Sequence, residues 1–131
     1  MRLLLDTHLL LWAAASSGRL SREARQLVED PGNEVYYSAA SLWEIAAKTA
    51  LGGTEVDVDL AVLRPALAEM GFAELPVTGS HTERLASLGS VPEDPFDRML
   101  VAQSLAEPLV LLTNDGTLAG CGDFVRVVGN R

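Results

Sequence analysis

The chain of 131 residues is 48% apolar and 21% charged, the composition of one globular domain with room for a single sizeable core. A formal charge of −8 argues against a simple electrostatic nucleic-acid binder, and one cysteine with two histidines leaves no internal disulfide, zinc cluster or His-rich metal site. No apolar stretch approaches the roughly 18–20 residues of a membrane span, and Asp6 interrupts the N-terminal run at once, so no membrane association and a cytoplasmic location are expected.

In chain order, Arg2–Leu5 reads as a short buried strand and His8–Ala15 as a helix. Leu20–Glu29 reads as a second helix, with Ser21 as a cap and Glu23 in its first turn. Pro31-Gly32-Asn33 is a turn before a β-like run at Glu34–Tyr37. Ser38–Ala50 is apolar at helical spacing through Leu42, Ile45, Ala46 and Thr49, and stops at Gly52-Gly53. Leu60–Met70 is a helix closed by Gly71, Phe72–Pro76 a strand, and Ser80–Leu88 a helix. Asp94–Ala106 has the clearest start, with Asp94 as N-cap and Pro95 at the first helical position. Leu109–Thr113 and Phe124–Val128 complete the strands.

Strands that are continuous apolar runs, alternating with helices, predict an α/β fold with a parallel sheet covered on both faces. Such sheets bind ligands at the carboxyl ends of their strands. Asp6, after Leu3-Leu4-Leu5, and Asp115, after Leu109–Thr113, occupy that edge. Glu44 on an otherwise apolar helix and Asp97 in the first turn of another are the acids that can join them. Gathered carboxylates repel and raise one another's pKa, so the cluster calls for a cation, and all-oxygen donors suit Mg²⁺ or Mn²⁺.

Each residue also has a plainer reading. Asp97 can serve the helix dipole, worth about 0.3–1 kcal/mol. Glu44 precedes Lys48 by four, an ion-pair spacing worth ~0.2–0.5 kcal/mol. Asp115 lies in Asn-Asp-Gly, well suited to a turn. Asp94 is assigned to its cap rather than to a direct site role, and His8 to a cap or the core, with orienting substrate as its functional alternative. Arg98 and Lys48 can reach phosphate or stand solvated. Cys121 reads as a small buried residue, and packing accounts for Trp12 and Trp43. Asp6 is hardest to dismiss, because a carboxylate directly after a buried strand needs a partner.

With these residues in view, the chain from Leu3 to about Val128 resembles the PIN domain, specifically the VapC-type toxin ribonucleases. The resemblance rests on Asp6 in LLLDTHLLLW, Glu44 in SAASLWEIAAK, Asp97 opening Asp-Arg-Met-Leu-Val-Ala, and Asp115 closing Thr113-Asn114-Asp115. Each motif is weak alone; four in order at these separations are specific. The resemblance implies a three-layer α/β/α sandwich and an acidic pocket of Asp6, Glu44, Asp97 and Asp115 binding Mg²⁺ or Mn²⁺. It further implies endonucleolytic cleavage of RNA, a homodimer, and inhibition by a cognate VapB-type antitoxin. Thr113 would orient a ligand or water, Asn114 is a weaker candidate for the same work, and Lys48, Arg98 and Asp94 are supporting residues. The acidic surface sits awkwardly with long RNA unless Arg19, Arg22, Arg25 and Arg98 gather near the cleft. A small structured RNA, such as tRNA, suits a protein of this size.

Three rivals are weighed. A haloacid-dehalogenase-like phosphatase needs a second Asp two residues after the first, where this chain has His8. A receiver domain needs an acidic pair that Leu5 and Thr7 do not supply. An inactive PIN module that binds RNA or protein has no need of four acids.

Overall fold

The computed structural model describes residues 1–52 and 58–129. Five strands form one sheet: β1 (Arg2–Leu5), β2 (Glu34–Ser38), β3 (Ala73–Leu75), β4 (Val110–Thr113) and β5 (Val125–Val127). Their order is β3-β2-β1-β4-β5, and every neighbouring pair is parallel. The first apolar run of the chain therefore lies at the centre, with Leu3 flanked by Val35 and Val110 and Leu5 by Tyr37 and Leu112.

Alternation along β1 feeds two separate cores. Leu3 and Leu5 pack with Leu9 and Leu10 of α1 (Thr7–Ala14), Ala24 of α2 (Arg22–Glu29), Leu42 and Ile45 of α3 (Ala39–Ala50), and Leu63 and Leu67 of α4 (Leu60–Glu69). Leu4 faces the other way, onto Leu100 and Val101 of α6 (Pro95–Ala106) and Leu118 of a 3₁₀ helix at Gly116–Cys121. The helix α5 (Gly79–Ala86) packs against α6. All three β1 leucines are fully buried, each contributing about 1.5–3 kcal/mol. The result is the expected three-layer α/β/α sandwich with a central parallel sheet.

Differences from the sequence reading fall at element ends. The first helix begins at Thr7, because Asp6 itself is the N-cap and accepts from the Leu9 N–H at 2.9 Å. The second begins at Arg22, with Ser21 capping as expected and Leu20 buried outside the helix. Ser38 ends β2 and caps α3, so the third helix starts one residue later than expected. Leu51 closes that helix and Gly52 follows at φ +70°, while Gly53 lies outside the described residues. Gly71, at φ +85°, turns the chain after α4. The 3₁₀ helix after Asp115 was not expected at all. Among the described residues no helix is long and apolar enough to cross a membrane.

Candidate active site

In a parallel sheet the strands deliver their carboxyl ends to the edge where the following helices begin. Helix N-termini carry unpaired N–H groups and a partial positive charge, so acids are favoured there. Three of the predicted acids use this arrangement. Asp6 caps α1, Asp115 caps the 3₁₀ helix, and Asp97 lies in the first turn of α6 behind the Asp94 cap. Glu44 comes from the middle of α3, which packs against both α1 and α6.

Asp6 is buried and held on both oxygens. One accepts from the Leu9 N–H, the other from the Thr113 hydroxyl, which in turn accepts from the Asp115 N–H at 3.0 Å. Burial raises the Asp6 carboxyl above its ordinary range; the Thr113 and Leu9 hydrogen bonds pull it back. Thr113, fully buried at the end of β4, thus ties two of the acids to one hydroxyl. Asp115 is exposed and accepts from the Thr117 N–H and hydroxyl at 2.9 and 2.7 Å.

Glu44 is 8% exposed. Its Oε1 accepts from the Thr7 hydroxyl at 2.6 Å, and its Oε2 holds the Lys48 ammonium. Thr7 has one hydroxyl proton and gives it to Glu44, so Ser41, 2.9 Å away, donates to Thr7. The hydrogen bond to Glu44 lifts the Lys48 ammonium above its ordinary range, and Asp94 and Asp97 add to the lift.

Asp97 shows that the acids share one field. Partial burial, then the charges of Asp94, Glu44, Asp6 and Asp115, push its carboxyl up to about 6. Its charge also reaches Cys121, a partly buried thiol that burial raises first.

The remaining predicted residues divide. Asp94 does its capping work, accepting from the Phe96 and Asp97 N–H groups at 2.9 and 3.0 Å. Arg98 donates to the carbonyls of Gly89 and Pro92 at 2.8 and 3.0 Å, tying down the loop before α6. Asn114, Lys48, Thr7 and Glu44 share the wall of a groove of about 1100 Å³ that also takes in His8, Trp12 and Arg19. Of the four arginines considered for the cleft, Arg19 lines this groove; Arg25 bonds the Ser17 carbonyl and pairs with Glu29. His8 is exposed and stacks on Trp12 at 5.9 Å between ring centroids, so it is not a core residue. Trp43 is not packed away either: it is 62% exposed and meets Phe96 edge-on at 4.7 Å.

Thr7, Ser41 and Thr117 were missed as partners of the acids. Their signals were present: Ser41 stands one helical turn before Glu44, and Asp-Gly-Thr is an Asx-turn sequence.

Hard oxygen donors under mutual repulsion fit Mg²⁺ or Mn²⁺ in chemistry. Among the described residues no three His, Cys, Asp or Glu side chains are grouped so as to hold one metal ion. Asp6, Glu44 and Asp115 each turn at least one oxygen to a protein donor. Each oxygen keeps a second lone pair, so the donor set remains suited to a cation.

No curated protein matches the sequence. Two solved structures share the fold. One is VapBC2 from Rickettsia felis bound to a DNA fragment from their promoter, with 14% identity, a TM-score of 0.66 and 98% of each chain covered. The other is a toxin–antitoxin complex from Klebsiella pneumoniae, with 20% identity, a TM-score of 0.63 and 95% of each chain covered. At these identities the likeness is one of fold. The PIN domain family model matches residues 3–120, a span that contains Asp6, Glu44, Asp97 and Asp115, and the chain belongs to the PIN domain family.

Proposed function

We propose that the protein is a metal-dependent endoribonuclease, the toxin of a VapBC-type pair, that cuts a structured cellular RNA. The observation that carries this reading is the gathering of acids at the carboxyl edge of the sheet: Asp6 and the Asp115 backbone share the Thr113 hydroxyl, and Asp6, Glu44, Asp94 and Asp115 lie near enough for their charges to act on Asp97. Such a gathering has no structural use that a helix cap alone would not serve, and it suits a hard cation.

Asp6 and Asp97 would hold Mg²⁺ or Mn²⁺, with Glu44 and Asp115 in support. When bound, the ion supplies an activated water and neutralises charge building on the phosphate during in-line displacement. The chain's own part is to fix the acids. The Leu9 N–H and Thr113 hydroxyl orient Asp6, Thr7 orients Glu44, and Thr117 orients Asp115. Partners are the RNA, a VapB-type antitoxin and a second copy of the chain, all in the cytoplasm. One structural relative is a toxin–antitoxin complex by name and the other is VapBC2 with promoter DNA, which supports the antitoxin.

The test is cleavage of total cellular RNA by purified protein with Mg²⁺, with Mn²⁺ and with chelator, mapping new 5′ ends. Discrete cuts that require the metal are expected. Asp97→Asn should slow them by more than the roughly 10–100-fold that loss of an outer-shell partner costs. Cutting that persists in chelator, or in folded Asp97→Asn at the wild-type rate, sinks the proposal.

A further inference from the structure

Lys48 is the only lysine in the chain, and it stands on the last turn of α3 with its ammonium on Glu44 Oε2. A helix pair at this spacing usually lies on the surface and does little. Here the partners are unequal: the Lys48 side chain is 46% exposed and that of Glu44 only 11%. The carboxylate belongs to the acid cluster, while the ammonium sits at its rim on the groove wall. The other Glu44 oxygen is fixed by Thr7, itself held by Ser41. Glu44 can therefore change partners at Oε2 alone, without moving the rest.

A divalent cation entering the cluster and the Lys48 ammonium seek the same oxygen and the same negative potential. Taking the acids as a metal centre, as proposed above, we infer that Lys48 is the internal counter-ion of the cluster. It holds Glu44 Oε2 in the metal-free protein, is displaced when a divalent cation binds, and so sets the metal affinity. Displacement does not strand the ammonium, because it remains near the carbonyl end of α3, where a cation is favoured. Its flexible four-carbon stem gives it access to the groove. The exchange also accounts for a cluster whose donor chemistry suits a metal while its acids are turned to protein donors.

The test needs neither RNA nor activity. Mn²⁺ is titrated into the full chain at pH 7.5, with free Mn²⁺ read by electron paramagnetic resonance, for wild type, Lys48→Met, Lys48→Arg, Glu44→Gln and the Glu44→Gln/Lys48→Met double variant. Circular dichroism establishes that each is folded. Lys48→Met should bind Mn²⁺ about tenfold tighter, as expected when a competing charge leaves a partly exposed site. Lys48→Arg should keep wild-type affinity within about twofold, and Lys48→Met should add less than about twofold once Glu44 is Gln. Unchanged or weaker binding by Lys48→Met overturns the inference. So does a tenfold gain that persists in the Glu44→Gln background, since Lys48 would then act only through the general field. If wild type binds Mn²⁺ and cuts RNA while Lys48→Met binds no tighter, the counter-ion role fails alone. If neither protein binds Mn²⁺, the metal reading fails with it.

Discussion

Asp97 concentrates the conflict between folding and chemistry. In the unfolded chain its carboxyl titrates near 3.8; in the fold it is lifted to about 6 by burial and by its acidic neighbours. Below about pH 3 it is protonated in both states and contributes no difference. Between pH 4 and about 6 the unfolded chain gains by ionising while the folded one does not, so stability falls as pH rises through that window. Above it the full cost persists. Two units correspond to about 3 kcal/mol, which screening at a half-exposed group reduces to roughly 1 kcal/mol. Asp97→Asn removes the charge and keeps the shape. In chelator at pH 7.5 the variant should therefore be more stable than wild type by about 1 kcal/mol, and the two should converge by about pH 3. Urea melts at the two pH values measure this directly. Equal stability at pH 7.5 would mean that the acids do not strain the metal-free fold. Asp6, also raised by burial, pushes in the same direction, so wild type itself should weaken as pH rises from 4 to 7 in chelator.

Helix starts are the elements that assemble the site, and they also decide what the sequence revealed. Asp94-Pro95 announces α6 because an N-cap acid and a proline at the first position each suit a helix start locally. The central strands were legible for a similar reason: a fully buried strand must be a continuous apolar run, and its end must then carry the first polar residue. That logic found Asp6 and Asp115 as strand-end acids but overlooked that both are also caps, which shifted α1 by one residue and hid the 3₁₀ helix. The hydroxyl links from Thr7 to Glu44 and from Thr113 to Asp6 were harder to read as pairings. They join residues 37 and 107 positions apart and exist only once α1 packs on α3 and β4 lies beside β1. Exposure of Trp43 was missed because apolar spacing in α3 marks a helix without saying which face its neighbours will cover. Asp94 separates capping from charge. Asp94→Ala should cost about 1 kcal/mol through the lost cap, whereas Asp94→Asn keeps an acceptor for the Phe96 and Asp97 N–H groups and should cost only a few tenths. Because Asp94 is the largest charge acting on Asp97, Asp94→Asn should also move the Asp97 titration to lower pH. Side-chain carboxyl carbon NMR of the metal-free variant reads that shift, and an unmoved midpoint would exclude the charge coupling.

At the scale of the whole molecule, the proposed activity would bring a chain of formal charge −8 against a polyanion. A nuclease that drew RNA in through a broad basic face would release many counterions and lose affinity steeply with salt, about 10³–10⁵-fold between 50 and 200 mM for 6–10 phosphate contacts. Here the groove beside the acids is lined by Lys48 and Arg19, while Arg98 is engaged with loop carbonyls and Arg25 with Ser17 and Glu29. Two phosphate contacts to single-stranded RNA give a log–log slope of roughly −1.4, or less than about tenfold over the same salt range. Cleavage of a short single-stranded RNA at fixed, saturating Mg²⁺ should thus lose less than about tenfold in kcat/KM between 50 and 200 mM KCl. With so little long-range attraction, recognition would fall to the shape of the RNA and to the positive charge of a cation held by the acids, which favours a folded target over an arbitrary long strand. A drop of a thousandfold or more would place a larger basic surface against the RNA than one subunit's groove offers, and would point to a second copy of the chain as the source of the missing charge.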